Sequence, residues 1–326
     1  MRLVVWALLH LLVAAAGTWI ARRYALRRNL LDQPGERRSH NVATPRGGGI
    51  GIVAAILLGC AWAMLTGLDA SIEIAGFSVG LILVAVIGWI DDHRPLSPWL
   101  RLAVHAIASA LLAWVAYRFT GDWRFGTAAF VTAIVLINVW NFMDGIDGLA
   151  ASQAILVGAG VVVLAFPQID FMAVGMLAAC LGFLPFNFPK AKIFLGDAGS
   201  GALGYCIAGI LTKAVAETEV IWPLSAFLIS AFLVDASFTL VLRVLKGEKW
   251  WTPHTQHVYQ RWVRHGRSHV FVTLWYAVFS FMALVSAIIL QIAGITGAAA
   301  IGAMGGWYIL AALLWLIYRN RLRDLN

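Results

Sequence analysis

The stretch Gly80-Leu81-Ile82-Leu83-Val84-Ala85-Val86-Ile87-Gly88-Trp89-Ile90 is apolar and uncharged, and it ends on Asp91-Asp92-His93-Arg94. Extended back to residue 71, it has the length that a helix needs to cross the hydrocarbon of a bilayer, about 20 mainly apolar residues. Its end is as informative as its body. Two adjacent carboxylates at a membrane boundary are costly unless something cationic joins them. A divalent metal or an acid–base task would justify the pair, whereas a solvated helix end accounts more easily for a single Asp.

The pattern recurs along the chain. Apolar segments of membrane length are read at 3–21, 48–66, 71–90, 103–119, 125–141, 150–166, 169–187, 199–216, 220–241, 269–291 and 296–318. Backbone polar groups in lipid must be satisfied internally, so these segments are helices. The composition agrees: 61% of residues are hydrophobic and 12% charged, against about 25% charged in soluble domains. The longest connections, 22–47 and 242–268, are too short for a folded core. The expectation is an all-α integral membrane protein of about eleven spans, one polytopic domain over 1–326. Cys60, Cys180 and Cys206 fall inside spans and read as small buried hydrophobes.

Charge gives the orientation. Of the 24 lysines and arginines, only Arg2, Arg118, Arg124 and Lys213 fall on one side of the layer; all the others lie on the opposite side. The rich side is cytoplasmic by the positive-inside rule, which places the N-terminus outside and the C-terminus inside. Positive charge follows the first apolar run (Arg22, Arg23, Arg27, Arg28), whereas a signal peptide carries it before. The first helix is therefore expected to be uncleaved. The net charge of +8 reflects topology and anionic lipid contact, or an anionic cytoplasmic substrate. Nucleic acid is excluded as a partner, because no basic domain carries a groove-reading element.

The loops of the rich side hold the chemistry. The first contains Thr44-Pro45-Arg46-Gly47-Gly48-Gly49, whose glycines let backbone approach a ligand and offer N–H groups to phosphate. In the third, Asn138, Asn141, Asp144 and Asp147 recur every three residues, so consecutive pairs share a helix face in a loop with no Lys or Arg. Such carboxylates need a ligand, a metal or arginines from elsewhere. In the fourth, Asp197 precedes the small residues opening the eighth span and suits Mg²⁺, which binds through one or two carboxylates plus substrate phosphates; an N-cap is the plain alternative. The fifth carries His254, His257 and Arg261, suited to phosphate binding or proton transfer; no nearby cysteine or carboxylate completes a zinc site. Trp250 and Trp251 read as interfacial anchors. Asp235 is an acid inside a span, and Arg243, eight residues on, is placed to reach back toward it.

Taken in order, Thr44-Pro45-Arg46-Gly47-Gly48, Asp91-Asp92, Asn141 to Gly148, Asn187 with Phe194-Leu195-Gly196-Asp197, and the His254/His257 loop resemble the polyprenyl-phosphate N-acetylaminosugar-1-phosphate transferase family. The resemblance covers essentially the whole chain. It implies a bacterial cytoplasmic-membrane enzyme with its active site formed by cytoplasmic loops. It would move sugar 1-phosphate from a UDP-N-acetylaminosugar to undecaprenyl phosphate and release UMP. By that resemblance Asp197 holds Mg²⁺, with Mn²⁺ as a substitute, and Asp91 or Asp92 activates the lipid phosphate or helps hold the metal. Asn141, Asp144, Asp147, Asn187 and Phe194 line the nucleotide-sugar site, with Asp144 and Asp147 as catalytic candidates. His254 and His257 contact phosphate or sugar, and Asp235 and Arg243 match a further element. His40, Arg46, Lys192 and Arg261 are candidate contacts to the anionic substrates. His93-Arg94-Pro95 and His-Thr-Gln-His depart from the peptidoglycan branch, while Arg37-Arg38-Ser39-His40 looks most like the O-antigen initiators. Membrane lipids are further partners, and a homodimer is left open. The rival reading is a secondary transporter of an anionic substrate, which would place its polar site near the midplane on broken helices.

Overall fold

The structure, a computed structural model, describes residues 2–35, 42–67, 72–168, 171–217, 221–252 and 254–322. In chain order its elements are α1 (Arg2–Arg27), β1 (Leu31–Asp32), β2 (Thr44–Pro45), α2 (Ile50–Thr66), α3 (Ile72–His93), α4 (Pro98–Thr120), α5 (Trp123–Met143), α6 (Leu149–Leu164) and α7 (Phe171–Asn187). There follow α8 (Gly196–Glu217), α9 (Ile221–Leu228), α10 (Ser230–Leu245), α11 (Val258–Arg264), α12 (His269–Ile292) and α13 (Gly297–Arg321). Among the described residues, 7 helices are long and apolar enough to cross a membrane, and up to 8 if α9 and α10 form one bent span. The helices α2, α6 and α7 are apolar but shorter. The all-α membrane architecture is thus as expected, while length and composition support seven or eight crossings.

Three local differences from the expected layout have physical reasons. The segment 220–241 is not one rod: α9 and α10 meet at 74°. Ser230 at the break donates its hydroxyl to Phe227 O and receives the Trp307 indole N–H, which satisfies polar groups near the interruption. The first helix continues past the apolar run through Arg22, Arg23 and Arg27, because arginine is a good helix former and its long stem reaches the aqueous side. The first loop also contains a minimal antiparallel ladder, Leu31 opposite Pro45 and Asp32 opposite Thr44, which ties its two ends together.

The core is built around α8. This helix is rich in glycine and alanine, and most of it is buried from Ala198 to Ala214. Without large side chains, neighbouring backbones close in on it, which is how packing is gained in a lipid environment that offers no hydrophobic drive between helices. A Cβ on Gly204 would collide with Leu136 O of α5. One on Gly88 of α3 would collide with the backbone of Asp197. The three cysteines are free and buried, as expected of spans. These approaches fix α3, α5 and α8 so that Asp91 and Asp92, Asn141, and Asp197 meet at one end.

Gly204→Ala is expected to lower the thermal unfolding midpoint in detergent, since overpacking typically costs about 1–3 kcal/mol. Gly305→Ala, where nothing stands within 4 Å of the added carbon, is the control and should leave the midpoint unchanged or slightly raised.

Candidate active site

The site begins with the N-terminus of α8. Asp92 is 2% exposed, and its carboxylate accepts the backbone N–H of Asp197 at 3.1 Å and of Ala198 at 3.3 Å. A carboxylate beside free N–H groups at a helix start is favoured by the helix dipole. The glycine run serves the same joint. Gly48 N donates to Phe194 O at 2.9 Å and Gly49 N to Leu195 O at 2.8 Å, and a Cβ on Gly49 would collide with Gly199 Cα. This corrects the expectation for that run: the backbone approach is made to the fourth loop, and the N–H groups of Gly48 and Gly49 are used on carbonyls there. Gly47 and Gly196 both have positive φ, at 90° and 77°, a conformation that favours glycine.

Asp197 faces the open side of this joint. Its Oδ1 accepts Asn141 Nδ2 at 3.0 Å and its Oδ2 accepts Arg101 Nη1 at 3.1 Å. The same Arg101 nitrogen donates to Asp91 Oδ2 at 2.8 Å, so one guanidinium bridges two carboxylates from different helices. Asn141 also donates to Ser200 Oγ at 3.1 Å. Arg46 donates to the Asp92 carbonyl, and its Nε stands 3.9 Å from the Asp92 carboxylate.

The third loop splits its residues. The helix α5 stops at Met143, so the three-residue spacing no longer keeps one face beyond that point. Asp144 stays on the cleft wall, with no hydrogen bond or ion pair from any described residue. Burial first, and then the charge of Asp92, push its pKa up to about 8. Asp147 turns away: it pairs with His269 at 3.2 Å and accepts the Ala191 N–H at 3.2 Å, tying the loop to the start of α12. Asn187 is buried and bonds Gly148 N and Ile193 O, so it joins two loops while lining the cleft.

The fifth loop is organised from below. Asp235 is 2% exposed and accepts Tyr276 Oη at 2.6 Å, Trp315 Nε1 at 2.9 Å and Val258 N at 2.9 Å. It anchors the first turn of α11, and His257 lies beside it at 3.8 Å. Tyr259 then donates its hydroxyl to Phe142 O at the end of α5. His254 and His257 sit with ring centroids 4.9 Å apart. Burial, then the neighbouring His257 and Arg243, lower the His254 pKa to about 3, so it is a neutral ring at physiological pH. Arg243 does not reach Asp235. It is buried and turned to the loop after α10, where it bonds Glu248, Lys249 O and Thr252.

Together these groups wall a cleft of about 610 Å³. Arg46, Asp92, Asn141, Asp144, Asn187, Phe194, Asp197, His254 and His257 all line it. Asp91, Asp147, Asp235 and Arg243 stand behind the wall, each holding a residue or loop that does line it. Lys192 is exposed against Pro185 O, and Arg261 lines a neighbouring polar pocket with His254, Arg264 and His265. His40 lies outside the described residues. Arg101, read from the sequence only as a topological charge, proves central. His105 and Trp99, which also line the cleft, were missed too; His105 lies one turn from Arg101 on the same face of α4, and its Nδ1 is buried without a partner.

Comparison with known proteins places the chain among relatives. The family model described as glycosyl transferase family 4 matches residues 74–215. That range contains the Asp91-Asp92 pair, the third loop and Asp197, and leaves out Arg46 and the histidine loop. The chain is 32% identical to the decaprenyl-phosphate N-acetylglucosaminephosphotransferase of Mycolicibacterium smegmatis, over 81% of this chain and 76% of the relative. It is 28% identical to a probable undecaprenyl-phosphate N-acetylglucosaminyl 1-phosphate transferase of Bacillus subtilis, over 90% of this chain and 86% of the relative. The undecaprenyl-phosphate alpha-N-acetylglucosaminyl 1-phosphate transferase of Escherichia coli is 28% identical over 78% of this chain and 76% of its own length.

The Asp144 shift has a signed consequence. Its folded pKa of about 8 lies above the ordinary carboxyl value of 3.8, so its contribution to stability is complete below about 3.8 and is lost as pH rises through about 8. In metal-free detergent solution, the unfolding midpoint of Asp144→Asn should gain on that of the unsubstituted protein between pH 5 and pH 8, then hold a constant lead. A lead that does not change with pH would contradict the shift.

Proposed function

This chain belongs to glycosyl transferase family 4, and from that membership we propose that it transfers an N-acetylaminosugar 1-phosphate from a UDP-sugar to a polyprenyl phosphate, releasing UMP. The observation that carries the reading is the cleft wall itself. Among the described residues the Asp144 carboxyl has no side-chain partner, and Asp197 presents a second carboxyl, held by Asn141, Arg101 and a hydrogen bond shared with Asp91. Carboxyl groups whose charged form is disfavoured in this way suit a cation brought with the substrate, which would restore that form.

The residues fit Mg²⁺ in the mode that uses few protein ligands. Among the described residues no three acidic, histidine or cysteine side chains converge as a complete metal cage, whereas Mg²⁺ commonly takes one or two carboxylates and completes its shell with water and substrate phosphates. Asp197 is the proposed ligand, with Asp144 as the second uncompensated acid; Asp92 already spends both oxygens on α8. Bound Mg²⁺ supplies positive charge against the donor pyrophosphate.

The chain's own residues do the rest. An oxygen of the acceptor phosphate forms a bond to the sugar-bound phosphorus of the donor, the bridging P–O bond breaks, and UMP leaves with the electron pair. Anion attacks anion, so basic groups must neutralise developing charge; Arg46 and Arg101 are the cations of this wall. Asn141, Asn187 and Phe194 shape the nucleotide side, and neutral His254 with His257 offers hydrogen bonds to phosphate or sugar. Direct attack is favoured over a covalent aspartyl intermediate, which would require two anionic approaches to one centre.

The finer reading places the protein in the bacterial cytoplasmic membrane with this cleft toward the cytoplasm, on the side rich in Lys and Arg. Crossing by α2, α6 and α7 as well would give eleven spans. A role in starting O-antigen or a related surface glycan follows from the resemblance of the first and fifth loops. The transporter reading gains little from the bent pair α9–α10, since the break holds Ser230 and no ionisable residue.

Purified protein in detergent is expected to release UMP from UDP-N-acetylglucosamine or another UDP-N-acetylhexosamine only when undecaprenyl phosphate and Mg²⁺ are both present, and EDTA should stop it. Asp197→Ala with normal expression should cut turnover by at least about 100-fold, the scale of losing one electrostatic stabiliser. Undiminished turnover by that variant would remove Asp197 from the mechanism, and UMP release without lipid would overturn the transfer.

A further inference from the structure

One guanidinium in the cleft holds two acids with a single nitrogen. Arg101 Nη1 donates to Asp91 Oδ2 at 2.8 Å and to Asp197 Oδ2 at 3.1 Å. Its Nε and Nη2 groups bond no described residue, and 28% of the side chain remains exposed. Arg243 shows what a structural arginine looks like in this fold. Its side chain is 3% exposed, and all three of its nitrogens are engaged, by Glu248, by the Thr252 hydroxyl and by the carbonyls of Lys249, Trp250 and Thr252. Arg101 has neither that burial nor that saturation.

The helices do not need Arg101 as a strut. Asp92 already joins α3 to α8 by accepting two N–H groups, and Gly88 lies directly against the Asp197 backbone. The start of α4 is also set without Arg101. Ser97 Oγ caps it by accepting Leu100 N at 3.2 Å, and Asp91 Oδ1 accepts Leu96 N in the turn before. What Arg101 supplies at Asp197 is charge. Asp91, Asp92, Asp144 and Asp197 gather at this end of the cleft, against the guanidiniums of Arg46 and Arg101. Arg46 is directed to Asp92, so Arg101 is the cation that reaches Asp197.

Both oxygens of Asp197 are therefore engaged, Oδ1 by Asn141 and Oδ2 by Arg101. Asn141 belongs to the last turn of α5 and is also tied to Ser200 Oγ. Arg101 is the partner on a long stem with room to move. A guanidinium and a divalent cation on one carboxylate oxygen exclude each other, by space and by like charge. We propose that Arg101 is a resident counter-ion that a divalent metal must displace from Asp197, so that the free protein holds the metal weakly and admits it together with the phosphates of the donor. The inference rests on the transferase reading above and deepens it. Displacement takes a charge-assisted bond from Arg101, and donor phosphate oxygens restore such bonds to its planar fork of N–H groups. A metal arriving alone offers no replacement. The same side chain thus compensates the acids between turnovers and adds its charge to the phosphates within one.

Mn²⁺ binding by the purified protein in detergent, read from the electron paramagnetic resonance signal of unbound Mn²⁺, tests the exchange without turnover. Arg101→Met keeps the stem and removes the charge. Without donor it should bind Mn²⁺ about tenfold tighter than the unsubstituted protein, the scale on which a contacting charge changes a carboxylate's affinity for a cation. Arg46→Met removes an equal charge that does not touch Asp197, and it should gain about twofold or less. Adding Asp197→Asn to Arg101→Met should abolish the gain. UDP-N-acetylglucosamine should tighten Mn²⁺ binding more in the unsubstituted protein than in Arg101→Met. No gain in Arg101→Met would overturn the proposal; so would equal gains in Arg101→Met and Arg46→Met, which would reduce the effect to net charge. Arg101→Gln provides the same test should Arg101→Met fold poorly. UMP release separates the two readings. Release by the unsubstituted protein, with no gain of Mn²⁺ affinity in Arg101→Met, would sink this inference alone. A gain with no UMP release from any donor would sink the transferase reading, and with it the donor's part in the exchange.

Discussion

Everything at the cleft end of the helices hangs on how the first turn of α8 is held. Asp92 is an acid with almost no access to water, and what makes its burial tolerable is a pair of N–H groups that α8 cannot satisfy internally. The exchange serves both partners: the helix start gains an acceptor and the carboxylate gains donors. It also fixes Asp197, which donates one of those N–H groups and turns its own side chain into the cleft. The glycines of the first loop and of α3 and α8 permit the approach, since any side chain at Gly49 or Gly88 would push Asp197 away.

That constraint sorts the acids into two populations. Asp92, Asp147 and Asp235 are saturated by protein donors and act as joints between helices and loops. Asp144 and Asp197 stay under-compensated and face open volume. Sequence alone shows several acids and amides of similar chemistry near one membrane face, and spacing cannot say which will be satisfied. The difference arises from contacts between segments a hundred residues apart, as in Arg101 bridging Asp91 and Asp197.

The layer of helices and the side on which chemistry gathers were legible for simple reasons. Long apolar runs have few structural solutions, and charge asymmetry is written directly in the loops. Asp91-Asp92, Asp144 and Asp197 stood out because carboxylates beside apolar spans are anomalous, and Asn141 because it shares their spacing. The face shared by Asn138 through Asp147 was readable only while the helix lasted, and α5 ends at Met143. Arg101 was invisible as chemistry because one more arginine on the side rich in Lys and Arg already has a sufficient explanation. The glycine run was misread as a ligand cradle because close backbone approach leaves the same signature whether the neighbour is a phosphate or another helix.

The fifth loop shows how a remote acid governs a site it never touches. Asp235 receives Val258 N and so fixes the entry of α11, and Tyr276 and Trp315 hold Asp235 from α12 and α13. From α11, Tyr259 reaches across to Phe142 O, the last turn before Asp144. One buried carboxylate thereby sets the distance between the histidine side and the aspartate side of the cleft. Two walls belonging to different parts of the chain are coupled through hydrogen bonds in a low-dielectric interior, where each is strong and each is expensive to leave unmade. The cleft wall is braced by paired groups over most of its length and is open chiefly at the Asp144 and Asp197 carboxyls.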